Sequence, residues 1–251
     1  MMKIAGKTDI GFSRADNQDA YCGGKIGINI VWASVCDGMG GTYGGDIASA
    51  LATRVIEEAF TNFLTESLSD EEIKMLMLQT LEKANQTIYE KAQEEEATQG
   101  MGTTVVTIVI QNGKAHLAHV GDSRIYLYRN QTLTRETKDH SVVQELIENG
   151  TITEKEAINH PRKNMITKVL GVEPMIHPDY FVIDTKENDI FLLCTDGLTA
   201  VLSDDELKQL FQRNVSFFNM ADMFIDAALE KHTQDNVTTV LLQTDFLAEV
   251  E

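Results

Sequence analysis

The sequence predicts an α+β protein in which helices form a layer over antiparallel β-structure. Two long segments between residues 46 and 96 place apolar side chains at helical spacing, one directly after the other. From residue 103 to residue 133, short β-branched and aromatic runs alternate with turn residues, which is typical of an antiparallel meander. Two further apolar runs, residues 28–35 and 189–194, each lead to an Asp-Gly pair. These patterns indicate a sheet-based core with helices outside it.

Length and composition indicate one folded domain over residues 1–251. A chain of 251 residues is long enough for one domain with a substantial core. Hydrophobic residues make up 43% and charged residues 24%, close to the averages of globular proteins. Only three prolines occur, and no Pro- or Ser-rich linker separates two halves. A second domain is therefore not expected.

Charge and cysteine content disfavour several classes of protein. The net charge of −18 argues against binding nucleic acid or anionic membranes, because both require basic patches. No uninterrupted apolar run approaches about 18 residues, so no membrane span is expected. The N-terminus lacks the apolar stretch of a signal peptide, and the three cysteines are far apart without a CxxC pair. Buried reduced thiols and a cytoplasmic location are the expectation.

Residues 4–24 are interpreted as a strand followed by an exposed loop that carries Arg14 and Asp19. The guanidinium fork of an arginine suits phosphate recognition. A surface or ion-pair role is the commoner one for a single arginine, so the motif alone leaves the role of Arg14 open.

The apolar run 28–35 predicts a buried strand that ends at Asp37, with glycines directly after it. Such an Asp-Gly pair is either a simple turn or a carboxylate presented to a ligand, and this stretch alone does not decide between them. A helix over residues 46–64 follows. The capping box that begins at Ser69 opens a second helix.

In the meander, Asn112-Gly113 predicts a tight hairpin turn. Asp122 then interrupts an apolar strand pattern, between Gly121 and Ser123. A turn residue and a ligand at a bulge are both compatible with this position.

Residues 141–165 lack strand patterns and are interpreted as an excursion from the sheet with two short helices, 142–148 and 153–158. The remaining predicted elements are a strand over 179–183, a buried strand over 189–194 that leads to Asp196-Gly197, a helix opened by a capping box at Ser203, a helix over 219–231 and a strand over 237–242.

Four acids share one kind of position, because each abuts an apolar, strand-like run: Asp37, Asp122, Asp196 and Asp235. An uncompensated buried carboxylate is costly, and several together raise one another's pKa. A divalent cation is the simplest compensation, although scattered structural turns are the alternative. Oxygen ligands without histidine or cysteine point to Mg²⁺ or Mn²⁺. Two such ions would form a hydrolytic site for phosphate esters.

These residues closely resemble the metal-dependent serine/threonine phosphatases of the protein phosphatase 2C family, in their short bacterial form. No single motif is specific, but the matches run in the family's order over nearly the whole chain. They are Arg14-x-x-Asn17-Gln18-Asp19, Asp37-Gly38-Met39-Gly40-Gly41, Gly102-Thr103-Thr104, Gly121-Asp122-Ser123-Arg124, Asp139-His140-Ser141, Asn164-x-x-Thr167-Lys168, Thr195-Asp196-Gly197-Leu198 and Asp235-Asn236-x-Thr238.

The resemblance implies a four-layer α-β-β-α sandwich, with two antiparallel sheets flanked by antiparallel helix pairs. The excursion at 141–165 would be the flap beside the active site. The reaction implied is in-line attack on phosphoserine or phosphothreonine by a water that bridges two ions.

The resemblance also assigns roles by matched position. Asp37 would bridge both Mn²⁺ or Mg²⁺ ions and act as the central catalytic carboxylate, and Gly38 would offer its carbonyl to the second ion. The other implied ligands are Asp196 and Asp235 on the first ion, Asp19 through water on the second, and Asp122 with Asp196 on a weaker third. Arg14 would bind the substrate phosphate.

The chain departs from animal members of the family at two positions. Met39 stands where those members carry a histidine proposed as general acid, so the acid is unassigned. Gln18 replaces a carboxylate, which lowers the charge at the second ion. His140 and His160 are interpreted as structural.

The sequence therefore predicts a phosphoprotein phosphatase that acts on phosphorylated proteins and opposes a serine/threonine kinase in the same pathway. A catalytically silent, metal-binding interaction domain of the same fold is the alternative. A two-metal nuclease conflicts with the acidic charge.

Overall fold

The computed structural model describes residues 2–40, 44–94 and 96–244. Gly41, the last residue of the predicted motif after Asp37, lies outside the described residues.

The described part of the chain contains eleven strands and seven α-helices. The strands are β1 (Lys3–Asp9), β2 (Asp19–Ile26), β3 (Ile30–Met39), β4 (Gly102–Thr103), β5 (Val105–Gln111), β6 (Lys114–Val120), β7 (Arg124–Arg129), β8 (Thr132–Arg135), β9 (Asp179–Asp184), β10 (Ile190–Cys194) and β11 (Val237–Gln243). The helices are α1 (Gly45–Phe63), α2 (Asp70–Glu94), α3 (Val142–Glu148), α4 (Glu154–Ala157), α5 (Asp196–Thr199), α6 (Asp204–Phe211) and α7 (Phe217–Glu230).

The strands form two antiparallel sheets. The β1 sheet has the order β1-β11-β10-β7-β8, and the β2 sheet has the order β2-β3-β5-β6-β9, with β4 paired to β3. Apolar side chains fill the space between the sheets, and they include Val31, Val35, Val106, Ile108, Phe191, Leu193 and Val240. This shared core makes the two sheets one unit.

Helices cover the outer face of each sheet. Alternate residues of β3 point to opposite faces, so Val31 and Val35 enter the inner core while Ile30 and Trp32 pack against α1 and α2. On the other side, Leu192 and Leu241 pack with residues of α6 and α7. The predicted four-layer α-β-β-α sandwich is confirmed.

The predicted meander is wrong in one respect, because its strands do not belong to one sheet. β5 and β6 form the predicted hairpin, with Asn112 and Gly113 both in the left-handed region, but β7 lies in the other sheet. The chain crosses between sheets at Gly121, whose φ is 111°. A Cβ there would lie 2.6 Å from the Thr104 side chain, so both the conformation and the space require glycine.

Two boundaries also differ from the prediction. The buried strand starts at Ile30 and continues through Asp37 to Met39, so Asp37 lies within a strand and not after its end. Asp19, predicted on an exposed loop, is the first residue of strand β2 and is 8% exposed. The pattern of β2 is weak because two glycines and Lys25 interrupt its apolar residues, and its pairing with β3 determines its conformation.

The excursion at residues 141–165 is confirmed as a helical segment outside the sheets, and it is called the flap below. Ser141 caps α3, and Thr153 caps α4 through a capping box with Glu156. In the described residues, no helix is both long and apolar enough to cross a membrane.

Candidate metal centre

Strands β2 and β3 place the first two carboxylates side by side. Asp19 and Asp37 are directly opposite each other in the antiparallel register. Residues in such a pair project from the same face with Cβ atoms about 4.5–5.5 Å apart. The pairing therefore fixes two acids at one end of the β2 sheet.

The β1 sheet brings two more acids to the same end. Asp196 opens α5 directly after β10, and Asp235 precedes β11, the neighbouring strand. The Thr195 and Thr238 hydroxyls donate to Asp19 Oδ2 at 2.9 and 2.7 Å. Since Asp19 belongs to the β2 sheet, these bonds tie both sheets together at the cluster.

Asp122 joins the cluster through a chain of hydroxyl groups. The Asp37 amide donates to Thr104 Oγ1 at 3.0 Å, and Thr104 Oγ1 pairs with Ser123 Oγ at 2.7 Å. Ser123 follows Asp122 at the crossing between the sheets. Asp122 therefore lies at the crossing between the sheets, and its carboxylate is close enough to Asp37 to raise the pKa of that acid.

Burial and mutual repulsion govern the charge of these acids. Burial raises the pKa of Asp19 and Asp122 to about 7, and neighbouring carboxylates add to the effect. The pKa of Asp37 lies well above its ordinary value because of burial and then because of the other four acids. Burial and Asp235 raise the pKa of Asp196, and a hydrogen bond with Asp37 opposes them. The five acids thus lie close enough to influence one another.

The residues fit a divalent cation with oxygen ligands. Asp19 Oδ1, Asp122 Oδ1 and Asp196 Oδ1 are buried, and none has a hydrogen-bond partner among the described residues. A buried carboxylate oxygen without a donor is unfavourable. Hard cations such as Mg²⁺, Mn²⁺ or Ca²⁺ accept such oxygens as ligands.

Gly38 lies where two backbone segments pack closely together. A Cβ at Gly38 would lie 1.9 Å from the Gly45 carbonyl oxygen, so no side chain fits. The Gly38 amide donates to the Gln18 carbonyl at 3.1 Å. The predicted role of its carbonyl as a ligand stays a prediction.

Arg14 lies on the loop between β1 and β2, as predicted, and its side chain is 51% exposed. Its guanidinium donates to Asp235 Oδ2 at 2.7 Å. Asp235 and the more distant Asp37 and Asp196 raise the pKa of Arg14, with the hydrogen bond that Arg14 donates to Asp235 as the main cause. The structure therefore places a cation at the edge of the carboxylates.

Asn236 is a positioning residue that belongs to one of the predicted motifs but had no predicted role. Its side chain donates to the Ile10 and Asp16 carbonyls and accepts from the Gln18 amide at 2.8 Å. These three bonds hold both ends of the loop that carries Arg14. The position of Asn236 between Asp235 and a buried strand could have indicated this role, since a buried side-chain amide needs hydrogen-bond partners.

Comparison with known proteins identifies the chain. The family model for protein phosphatase 2C matches residues 13–244. The chain belongs to the protein phosphatase 2C family. The family and enzyme class predicted from the sequence are thereby confirmed. A serine/threonine phosphatase of Listeria monocytogenes is 37% identical over 240 residues, which cover 96% of this chain and 95% of the relative.

Solved structures of phosphatases share the fold. The serine/threonine phosphatase of S. agalactiae has a TM-score of 0.89 and 32% identity, over 98% of this chain and 100% of that one. The catalytic domain of the phosphatase PstP, solved with two manganese ions, has a TM-score of 0.84 and 29% identity, over 98% of this chain and 99% of that one.

A groove of about 870 Å³ leads from the carboxylates of this phosphatase towards the flap. Asp122 and Asp196 line its inner end, and Val143, Ile147 and Ile158 of the flap line its outer part. The Ile158 side chain is 65% exposed. The groove therefore offers apolar surface next to the acids.

Met39 is 38% exposed, and its thioether cannot donate a proton. His160 lies in the flap, where its Nδ1 accepts from the Arg162 amide at 3.2 Å. His140 lies at the flap's root. Neither histidine contacts the cluster acids through a hydrogen bond in the described part of the chain.

Proposed function

We propose that this protein is a metal-dependent serine/threonine protein phosphatase that hydrolyses phosphoserine and phosphothreonine in other proteins. Three buried carboxylate oxygens at the meeting point of the two sheets, none with a hydrogen-bond partner in the described parts of the chain, carry the proposal. The relatives that it resembles are named serine/threonine phosphatases.

The proposed centre holds two Mn²⁺ or Mg²⁺ ions and a weaker third. Asp37 would contact both main ions, with Asp196 and Asp235 on the first and Asp19 and the Gly38 carbonyl on the second. Asp122 and Asp196 would hold the third. Ions held there supply an activated water and offset the charge of phosphate oxygens. The manganese-bound relative supports two sites.

Arg14 is the proposed phosphate ligand. It already lies beside Asp235, it is half exposed, and its fork can bind two oxygens of a phosphate. Asn236 keeps the loop in place, so Arg14 needs only a side-chain movement to reach a substrate held at the acids.

The groove between the acids and the flap is the proposed path of the substrate segment. Its lining combines the apolar side chains of the flap with four basic and six acidic residues, and Arg124 and Arg135 are already paired with Asp139. The apolar side chains and Lys163 suit a phosphorylated segment, whereas the acids Asp122 and Asp196 require a cation before an anionic phosphate can approach. A serine/threonine kinase must supply such substrates. The buried free thiols in the described residues support a cytoplasmic site of action.

The silent interaction domain is the competing function. All the acids expected for catalysis are present and converge, which disfavours that alternative. Metal binding alone would also require these carboxylates, so the names of the relatives, which are serine/threonine phosphatases, are the observation that favours catalysis.

Hydrolysis of a phosphothreonine peptide and of p-nitrophenyl phosphate with Mn²⁺ or Mg²⁺ tests the proposal. We expect activity that chelator abolishes and that Asp37→Asn reduces at least about 100-fold, because an amide is a much weaker ligand. The exposed Asp205→Asn is the matched control and should keep full activity. Activity that survives both chelator and Asp37→Asn would refute the proposal, and Mn²⁺ binding without any hydrolysis would favour the silent domain.

A further inference from the structure

The two ends of the flap are hydrogen-bonded to each other beside His140, the residue that precedes the flap. The Val142 amide donates to the Met165 carbonyl at 2.9 Å, and the Thr167 amide donates to the His140 carbonyl at 2.8 Å. The chain segments that enter and leave the flap are thereby joined at its root. His140 therefore lies where both ends of the flap are held.

His140 is also bonded to the crossing between the two sheets. Its amide donates to the Gly121 carbonyl at 2.9 Å, and its Nδ1 accepts from the Gly121 amide at 3.0 Å. Gly121 directly precedes Asp122, whose Oδ1 is buried without a partner among the described residues. A reciprocal pair of hydrogen bonds thus connects the flap root to the backbone residue that precedes Asp122.

The hydrogen bonds define the tautomer of His140. Because Nδ1 accepts from an amide, the neutral ring carries its proton on Nε2. Burial lowers the pKa of His140, and the ring of His119 stacks on it with centroids 4.6 Å apart. His119 Nε2 donates to the Lys138 carbonyl at 2.9 Å, which holds the stacking partner in place.

A metal site at this position is the competing interpretation. His119, His140 and Asp179 place three possible ligand atoms within 4.8 Å of one another. A metal would require a lone pair on His140 Nε2, but that nitrogen carries the proton when Nδ1 accepts from Gly121. The observed hydrogen bonds therefore favour a positioning role over metal binding.

We propose that His140 is a positioning residue whose Nδ1 fixes the Gly121 backbone and thereby sets both the Asp122 carboxylate and the root of the flap. The inference rests on the proposed function, since it assigns Asp122 to the weakest ion and the flap to substrate binding. It predicts that metal affinity and protein-substrate affinity depend together on one hydrogen bond.

Two substitutions separate this role from a general structural one. In His140→Asn the side-chain oxygen can occupy the position of Nδ1 and accept from the Gly121 amide, whereas in His140→Gln the amide lies one bond further out. Both variants lose the ring and its stacking on His119. The pair therefore differs mainly in the acceptor.

The experiment measures Mn²⁺ binding by calorimetry and kinetics on a phosphothreonine peptide and on p-nitrophenyl phosphate. We expect His140→Gln to weaken the lowest-affinity Mn²⁺ step and raise KM for the peptide by about tenfold, as the loss of a buried hydrogen bond implies. KM for p-nitrophenyl phosphate should change little because that substrate does not reach the flap. His140→Asn should restore both values to within about threefold of the wild type.

Several results would overturn the inference. Equal behaviour of the two variants, or lowered melting temperatures with unchanged Mn²⁺ binding and KM, would leave His140 a purely structural residue. A ¹⁵N spectrum with the proton on Nδ1, or an anomalous peak between His119, His140 and Asp179 in a Zn²⁺-soaked crystal, would refute the tautomer. Calorimetry and the ¹⁵N spectrum need no activity, so failure of the proposed function would be seen separately as an inactive wild type.

Discussion

The carboxylate cluster should make the stability of this protein fall with rising pH in chelator but not in excess Mn²⁺. Burial is the first cause that raises the pKa of Asp19 and of Asp122 from 3.8 to about 7. Between these pH values the folded protein holds protons that the unfolded chain has released. By linkage, the free energy of unfolding then decreases as pH rises, and it is highest below the unfolded value.

The size of the effect follows from the two raised values. A rise from 3.8 to about 7 corresponds to about 4 kcal/mol of lost stability for each carboxyl once it is ionised. From pH 5 to pH 7 the two groups together would remove about 5 kcal/mol. For a domain of this size that corresponds to a fall in melting temperature of about 10–20 °C.

Calorimetric melting between pH 5 and pH 8, with chelator and with excess Mn²⁺, measures this directly. Mn²⁺ competes with protons for the same oxygens and binds more tightly as they ionise, so the fall should disappear in its presence. Asp122→Asn removes one of the acids whose pKa is raised, and it should make the slope in chelator shallower without abolishing it, because the pKa values of Asp37 and Asp196 are raised as well. A melting temperature that stays constant or rises from pH 5 to pH 7 in chelator would refute the reasoning.

Three other perturbations test the site. Thr238→Val removes a 2.7 Å hydrogen bond to Asp19 and should raise the Mn²⁺ concentration for half-maximal activity several-fold, while Thr238→Ser should not. Arg14→Ala should raise KM for p-nitrophenyl phosphate about tenfold or more, with Mn²⁺ binding by calorimetry almost unchanged. Ile158→Asp should raise KM for a phosphopeptide but not for p-nitrophenyl phosphate, whereas Met175→Asp, on an exposed side chain outside the groove lining, should change neither; equal effects would refute the proposed path.

Local sequence patterns predicted most of the elements because they depend on nearest neighbours. The capping boxes at Ser69 and Ser203 predicted helix starts that the structure reproduces, since those bonds form within one turn. The Asn112-Gly113 turn is of the same kind. The run to Asp196 likewise predicted a buried strand before the acid.

Features set by distant contacts were not predictable from pattern alone. The strand that begins at Asp19 exists because it pairs with β3, and its sequence does not indicate that, because two glycines and Lys25 interrupt its apolar residues. The change of sheet at Gly121 depends on the fit against Thr104. The convergence of Asp122 with the other acids therefore required the tertiary structure, although the family resemblance anticipated it.

Asp19 shows how one carboxylate can serve both the fold and the chemistry. Its Oδ2 accepts two hydroxyl hydrogen bonds from the opposite sheet, while its Oδ1 is buried without a partner in the described part of the structure. The threonine donors lower its pKa and partly offset the desolvation, so the acid can remain buried. Because Thr195 follows β10 and Thr238 lies within β11, an ion bound through the free oxygen would also stabilise the contact between the sheets. Repulsion among the charged acids thus destabilises the fold. A cation shared by these acids would offset the repulsion and stabilise the fold.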